Sequence, residues 1–335
     1  MRTVPPVTLE HHIAGYQLCA ATEGKSPNSI AIVTSSANYF HHFLTSQGIV
    51  AAMTEVTHHE IRAFILHLQH KRCFSDHRFN HAQDKGLSGH TINCYLRSLR
   101  IFFSWLVSEG IIDSTPFERV KIPPPPRKII PTLSDHQIGQ LFGAIDTRTT
   151  QGYRDYTMVL TLLDTGLRVS ELCNLELGKL RLEEGMLKVL GKGNKERLIP
   201  IGKQVQRLLW RYIDRYRPEP ATANGGFVFL TREGRSLTKD RVEKIMTYYG
   251  KKAGLAGIRC SPHTLRHTAA VTFIRNGGDV FSLQRMLGHS SLEMTRKYCE
   301  LADIDVKKAH ITASPVDNLD FAAMGLNSRF RFPRT

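Results

Sequence analysis

Apolar residues recur at intervals of four, three, four and three from Ile92 through Leu96, Leu99 and Phe103 to Leu106. That spacing traces one stripe along a helix and leaves Arg97 and Arg100 off it. Comparable patterning predicts helices near residues 28–47 and 57–71, whereas residues 73–90 are polar and His-rich and read as a loop. The upstream part is thus a small helical bundle whose aromatic positions fill a core rather than form a platform for stacking bases. It ends at Lys121-Ile-Pro-Pro-Pro-Pro-Arg-Lys128, where four prolines donate no backbone hydrogen bonds and favour extended chain, which predicts a semi-rigid tether.

Beyond the tether the texture changes. Ser134-Asp-His-Gln137 has the form of a capping box opening a helix through Leu141 and Phe142, and Met158 to Leu163 is an apolar run, broken only by Thr161, that is closed by Thr165-Gly166. Met186–Leu190 and Glu196–Pro200 flank Gly191-Lys-Gly-Asn-Lys195 and predict two antiparallel strands around a glycine-rich turn, with Phe227–Leu230 as a third strand. Helices are expected over 237–252, 264–276 and 280–287. The fold class is therefore mainly α in two domains, the second α+β with a small antiparallel sheet.

Length and charge sharpen this. A chain of 335 residues exceeds one comfortable core. Its formal charge of +15 is uneven: residues 1–126 hold 11 Lys/Arg against 9 Asp/Glu, while 127–335 hold 34 against 21. A net of +13 on the second part points to a polyanion, with nucleic acid, a membrane surface and acidic partners all compatible on charge alone. No apolar run approaches the ~20 residues that span a bilayer, and the amino terminus lacks the apolar centre of a signal peptide. The six cysteines, Cys19, Cys73, Cys94, Cys173, Cys260 and Cys299, form no Cys-x-x-Cys pair, which fits reduced thiols in a cytoplasmic protein. Eleven of the sixteen histidines fall between His11 and His90, several as adjacent pairs; neighbours on a helix diverge by about 100°, so they read as a solvated face rather than a metal site.

The chemistry lies in the second part. Cleaving a phosphodiester without a metal leaves negative charge on the non-bridging oxygens, which cations must balance. Arginine suits the task because its planar fork gives phosphate two hydrogen bonds and stays charged. Arg168, in Thr165-Gly-Leu-Arg-Val-Ser-Glu-Leu172, follows a turn and enters a helix; Arg266 lies three residues after His263, so a helix puts both on one face. The leaving oxygen needs a proton, and Lys192 or Lys195 on a mobile hairpin tip can bring one. A nucleophile remains to be found. Tyr298, nine residues beyond His289 of the Leu287-Gly-His-Ser290 turn, supplies a phenol with a pKa of about 10 that becomes useful when cations stabilise its phenolate.

Taken in order, Arg168 in Thr-Gly-Leu-Arg-x-Ser-Glu-Leu, Lys192 in Gly-Lys-Gly-Asn-Lys-Glu-Arg, His263 and Arg266 in Pro-His-x-Leu-Arg-His, His289 in Leu-Gly-His-Ser-Ser, and Tyr298 resemble the tyrosine recombinase (phage integrase) family, most of all its short Xer-like members. The resemblance covers about residues 130–310, and the preceding helices are similar in pattern to the family's SAM-like core-binding domain. It implies a core-binding DNA-binding domain over 1–122, a Pro-rich linker over 123–128, a catalytic domain over 129–313 and a tail over 314–335.

By this resemblance Tyr298 attacks the scissile phosphate of double-stranded DNA, becomes joined to the 3′ phosphate and releases a 5′ hydroxyl. Arg168 and Arg266 hold the non-bridging oxygens, His289 donates another hydrogen bond, Lys192 protonates the leaving oxygen, and His263 assists proton transfer at the tyrosine. Glu171 buttresses the site, its plainer reading being a surface ion pair. Lys195, Arg97 and Arg100 are the expected contacts to the DNA backbone. The resemblance implies no cofactor, neither metal nor ATP, no membrane, and self-association into a tetramer on two recombination sites, with accessory proteins unknown.

Two neighbouring functions share these residues: a type IB topoisomerase or hairpin-forming resolvase, and an accessory DNA-binding protein that has lost catalysis, against which the complete cation set argues. The segment before the tether is too short for an additional arm-binding domain, which disfavours an arm-site integrase. Leu301–Ile311 is the candidate for the helix that family members pack into a neighbouring protomer. The tail ending Arg-Phe-Arg-Phe-Pro-Arg-Thr lies outside the match, and both a disordered basic tail and an interaction segment remain open for it.

Overall fold

The computed structural model describes residues 9–49, 56–72, 84, 86–124, 130–191, 195–222, 226–302, 310, 314–317 and 319. The chain forms two compact units, Met1–Lys128 and Ile129–Thr335. The 73–83 part of the expected loop, positions 125–128 of the Pro-rich run, most of 301–311 and most of the tail lie outside the described residues.

The first unit is built from α1 (Leu9–Thr22), α2 (Pro27–Ser46), α3 (His58–His70) and α4 (Gly89–Ser108). Their starts are set by local chemistry. The Ser26 hydroxyl accepts from the Ser29 amide ahead of Pro27, and Thr57 and Glu60 form a reciprocal box in which the Glu60 carboxylate accepts from the Thr57 amide at 2.8 Å. The stripe read from the sequence is the buried face of α4: Leu96, Leu99, Phe103 and Leu106 are fully enclosed, packed with Tyr16, Phe40, Phe64 and Phe102. Arg97 and Arg100 are exposed as expected, with Arg100 lying over the Phe117 ring at 5.5 Å.

In the second unit, α5 (Asp135–Gly143) begins at the expected capping box, the Ser134 amide donating to Gln137 Oε1 at 3.0 Å. Next comes α6 (Thr150–Thr165), buried on nearly every side. Three threonines enter its core because each hydroxyl donates to a carbonyl one turn back: Thr157 to Tyr153, Thr161 to Thr157 and Thr165 to Thr161. After α7 (Val169–Cys173) come β1 (Leu180–Arg181), β2 (Met186–Leu190) and β3 (Glu196–Pro200), an antiparallel sheet in the order β1-β2-β3 with Val189 opposite Arg197. The remainder is helical: α8 (Lys203–Arg211), α9 (Lys239–Lys252), α10 (Pro262–Arg275), α11 (Val280–Leu287) and α12 (Glu293–Ala302). Helix α10 packs against both α6 and α12.

The expected hairpin is present, but Phe227–Leu230 is not a strand of the sheet. It makes only isolated bridges, Glu176 with Phe227 and Leu230 with Ser236, and the third strand is Leu180–Arg181. Val228, Phe229 and Leu230 are all buried, so no alternating face exists to lie on a sheet. Their backbone is satisfied elsewhere, the Val228 amide by the Leu175 carbonyl at 2.7 Å and the Leu230 amide by the Tyr212 hydroxyl. Among the described residues, no helix is long and apolar enough to cross a membrane.

Candidate active site

Helix ends create the site. Both α6 and α11 stop at a glycine with positive φ, Gly166 at 61° and Gly288 at 64°, conformations that cost an L side chain ~1–2 kcal/mol. Stopping there leaves the last carbonyls without intrahelical partners and concentrates partial negative charge. Arginines occupy that charge. Three consecutive carbonyls at the end of α11 each receive a different one: Met286 from Arg197 Nε at 3.1 Å, Leu287 from Arg266 at 2.8 Å, and Gly288 from Arg168 at 3.2 Å. The Gly166 carbonyl receives a second hydrogen bond from Arg266 at 2.5 Å. Gly166 is also tightly seated, since a Cβ there would lie 2.7 Å from Leu287 Cδ2.

Glu171 ties two of these arginines together. Its Oε1 accepts from Arg168 and Arg197, and its Oε2 accepts from Arg197 and the Arg168 amide, all four at 2.9 Å. Its side chain is only 3 % exposed. Burial opposes its charge, but the hydrogen bonds from Arg197, the Arg168 amide and the Arg168 side chain prevail and hold the carboxyl below its ordinary pKa. Arg266 is 5 % exposed, and burial, with Arg168 nearby, lowers its guanidinium to about 10. It is still a cation at neutral pH.

Tyr298 lies on α12 with only 4 % exposure. Burial raises its phenol pKa; Arg266 and Arg168 pull the other way without prevailing, so the resting side chain is protonated at pH 7. Its hydroxyl is 2.9 Å from His267 Nδ1. The His289 ring lies nearly parallel to that of Tyr298, 6.1 Å between centroids, its Nε2 3.1 Å from Arg266 and its Nδ1 3.0 Å from the Thr295 hydroxyl. Arg266 can only donate, so His289 Nε2 accepts and its proton sits on Nδ1 facing Thr295. Burial, then Arg266 and Arg168, depress His289 to about 4, making it neutral at pH 7.

Five of the residues singled out in the sequence are therefore drawn together: Arg168, Glu171, Arg266, His289 and Tyr298. His263 is exposed in the first turn of α10 and makes none of the hydrogen bonds just described. Lys192 lies outside the described residues. Lys195 is exposed at the foot of β3, its carbonyl closing the hairpin turn by accepting from the Gly191 amide at 2.8 Å, while Arg97 and Arg100 belong to the other unit. Two residues went unassigned in the sequence. Arg197 stands inside the quoted Gly-Lys-Gly-Asn-Lys-Glu-Arg motif, and His267 follows Arg266 directly, one helical turn beyond His263.

Residues 131–304 match the phage integrase family, and residues 14–122 match the phage integrase SAM-like domain. The chain belongs to this family, the tyrosine recombinases, enzymes that act on DNA. It is 30 % identical over 286 residues to tyrosine recombinase XerD of Listeria monocytogenes serotype 4b, which spans 82 % of this chain and 96 % of that one. It is 30 % identical over 291 residues to tyrosine recombinase XerC of Bacillus pumilus, covering 86 % and 90 % respectively. Among solved structures it resembles the Tn1549 transposon integrase in complex with transposon right end DNA, with a TM-score of 0.68 at 21 % identity over 87 % of this chain and 94 % of that one. The XerH site-specific recombinase bound to a palindromic difH substrate gives 0.67 at 18 % identity over 91 % and 85 %. These likenesses show the shared fold.

Proposed function

We propose that this chain is a site-specific DNA recombinase that cuts and rejoins strands through a covalent 3′-phosphotyrosine at Tyr298. The observation that carries the reading is the convergence of a buried tyrosine with Arg168, Arg266 and His289 around the end of α11. Each arginine keeps donors beyond those bound to carbonyls and Glu171, since a guanidinium has five. A phosphate beside Tyr298 would take them, and the held guanidiniums would lose little freedom on binding it.

His289 can join by switching tautomer. If Arg266 turns a donor to the phosphate, the imidazole proton moves to Nε2 to face the phosphate, and Nδ1 accepts from the Thr295 hydroxyl, which can serve as donor or acceptor. Lys192 is the proposed donor to the leaving 5′ oxygen. Attack by the freed 5′ hydroxyl of a second duplex would then exchange strands, in a tetramer on two sites, with DNA reached in the cytoplasm. The names of the relatives favour recombination over a topoisomerase. Incubating the chain with a suicide duplex, nicked so that the cleaved strand diffuses away, tests this. A covalent adduct absent with Tyr298→Phe, and joint products only when two sites are supplied, are expected. Relaxation of a plasmid lacking any site, with no strand exchange, would contradict the recombinase reading.

A further inference from the structure

We propose that Arg197 is a positioning residue that keeps the Arg168 guanidinium free for the scissile phosphate; the proposal rests on the recombinase reading. A carboxylate offers about four lone-pair positions, and on Glu171 all are taken, two by Arg197 and two by Arg168. Arg197 spans the carboxylate as a fork, Nη1 on Oε1 and Nη2 on Oε2, both at 2.9 Å. Arg168 therefore reaches Glu171 through one side-chain donor, Nη1, its other hydrogen bond coming from the backbone amide. With Nη2 on the Gly288 carbonyl, most of the five guanidinium donors of Arg168 stay outside these contacts.

Taking Arg197 away opens one position on each carboxylate oxygen. Arg168 is the cation left on Glu171, and its own planar fork suits both oxygens. The carboxylate would draw a second side-chain donor from it and turn the guanidinium away from the phosphate.

Arg197 is itself fixed in place. Its Nε donates to the Met286 carbonyl at 3.1 Å, and its side chain is 15 % exposed against 31 % for Arg168. Glycines from two segments close on it: a Cβ at Gly288 would lie 3.0 Å from its Cζ, and one at Gly191 3.1 Å from its Nη1. The enclosed arginine thus holds the carboxylate, and the more open one is left to meet DNA.

The test is single-turnover adduct formation by the full chain on a nicked suicide duplex selected from a randomised pool by covalent trapping with the unaltered protein, the scissile position being read from the trapped product. Two versions are compared, one with an ordinary scissile phosphate and one with a methylphosphonate, in which a methyl group replaces a non-bridging oxygen and removes its charge. Arg197→Met is expected to bind the duplex as the unaltered chain does but to react about 10²-fold more slowly on the phosphate, the effect of losing one transition-state donor. On the methylphosphonate its deficit against the unaltered chain should shrink to about tenfold or less, because less charge awaits Arg168. A merely structural role would slow both reactions alike. Wild-type rates from Arg197→Met, an equal deficit on both substrates, or a loss of DNA affinity as large as the loss of rate would overturn the assignment. Should circular dichroism show Arg197→Met unfolded, Arg197→Lys, which keeps the charge but not the fork, carries the same comparison. Failure of the unaltered chain to trap any duplex would instead sink the recombinase reading, and the two failures are thereby distinct.

Discussion

Replacing Glu171 with Gln removes one charge and one acceptor oxygen while keeping the side chain's shape. Each carboxylate oxygen accepts two of the four hydrogen bonds, so either orientation of the amide loses two and points an NH2 at donors. Hydrogen bonds to charged groups are worth ~1.5–3 kcal/mol each, and breaking a buried ion pair costs ~3–5 kcal/mol. With the Glu171 side chain 3 % exposed, and those of Arg197 and Arg168 15 % and 31 %, the expected loss is about 4 kcal/mol. For a unit of this size that is on the order of 10 °C in Tm.

The pH dependence follows from the lowered carboxyl. Its contribution is fully present above the unfolded value of 4.5 and is lost as pH falls through the folded value. Urea denaturation of the unaltered chain and Glu171→Gln, followed by circular dichroism at pH 7.5 and at steps below 4.5, should show a gap that narrows with acid. A difference under about 1 kcal/mol at pH 7.5, or one that is unchanged in acid, would refute the reasoning.

Gly166→Ala should destabilise by ~1–2 kcal/mol for the left-handed backbone plus ~1–3 kcal/mol for the overlap with Leu287, lowering Tm by at least about 4 °C; a drop under 2 °C would contradict the tight seat. The same variant should slow cleavage more than it weakens DNA binding, because the Gly166 carbonyl holds Arg266, and equal losses in both would count against that link. His289 and His267 are both held neutral in the folded chain, whereas the unfolded chain protonates them near pH 6.5. Stability conferred by these neutral rings is complete above about 6.5 and declines as pH falls toward 4, so denaturation midpoints should drop across that window, and less steeply in His289→Asn. A flat profile between pH 7 and 5 would refute it.

The helices were legible where an apolar period ran uninterrupted, as in α4 and α11, and the hairpin where glycines separated two strand-like runs. Phe227–Leu230 misled because a short continuous apolar run suits a strand or a buried connection equally, and only tertiary burial decides. The site residues were readable through their ordered motifs, but their partners were not. That Arg168, Arg197 and Arg266 share the carbonyls ending α11 depends on a tertiary meeting across 120, 89 and 21 residues of chain respectively. His267 carried a faint signal, a second histidine one turn after His263 and therefore on the same face, outweighed by the motif's better-marked members.

The central claim is that Tyr298 is the nucleophile. Trapping the adduct on a suicide duplex, trimming the DNA with nuclease, digesting with protease and sequencing the modified peptide by mass spectrometry would locate the bond. A nucleotide remnant on Tyr298 is expected; a remnant on any other residue, or an adduct that persists in Tyr298→Phe, would contradict it.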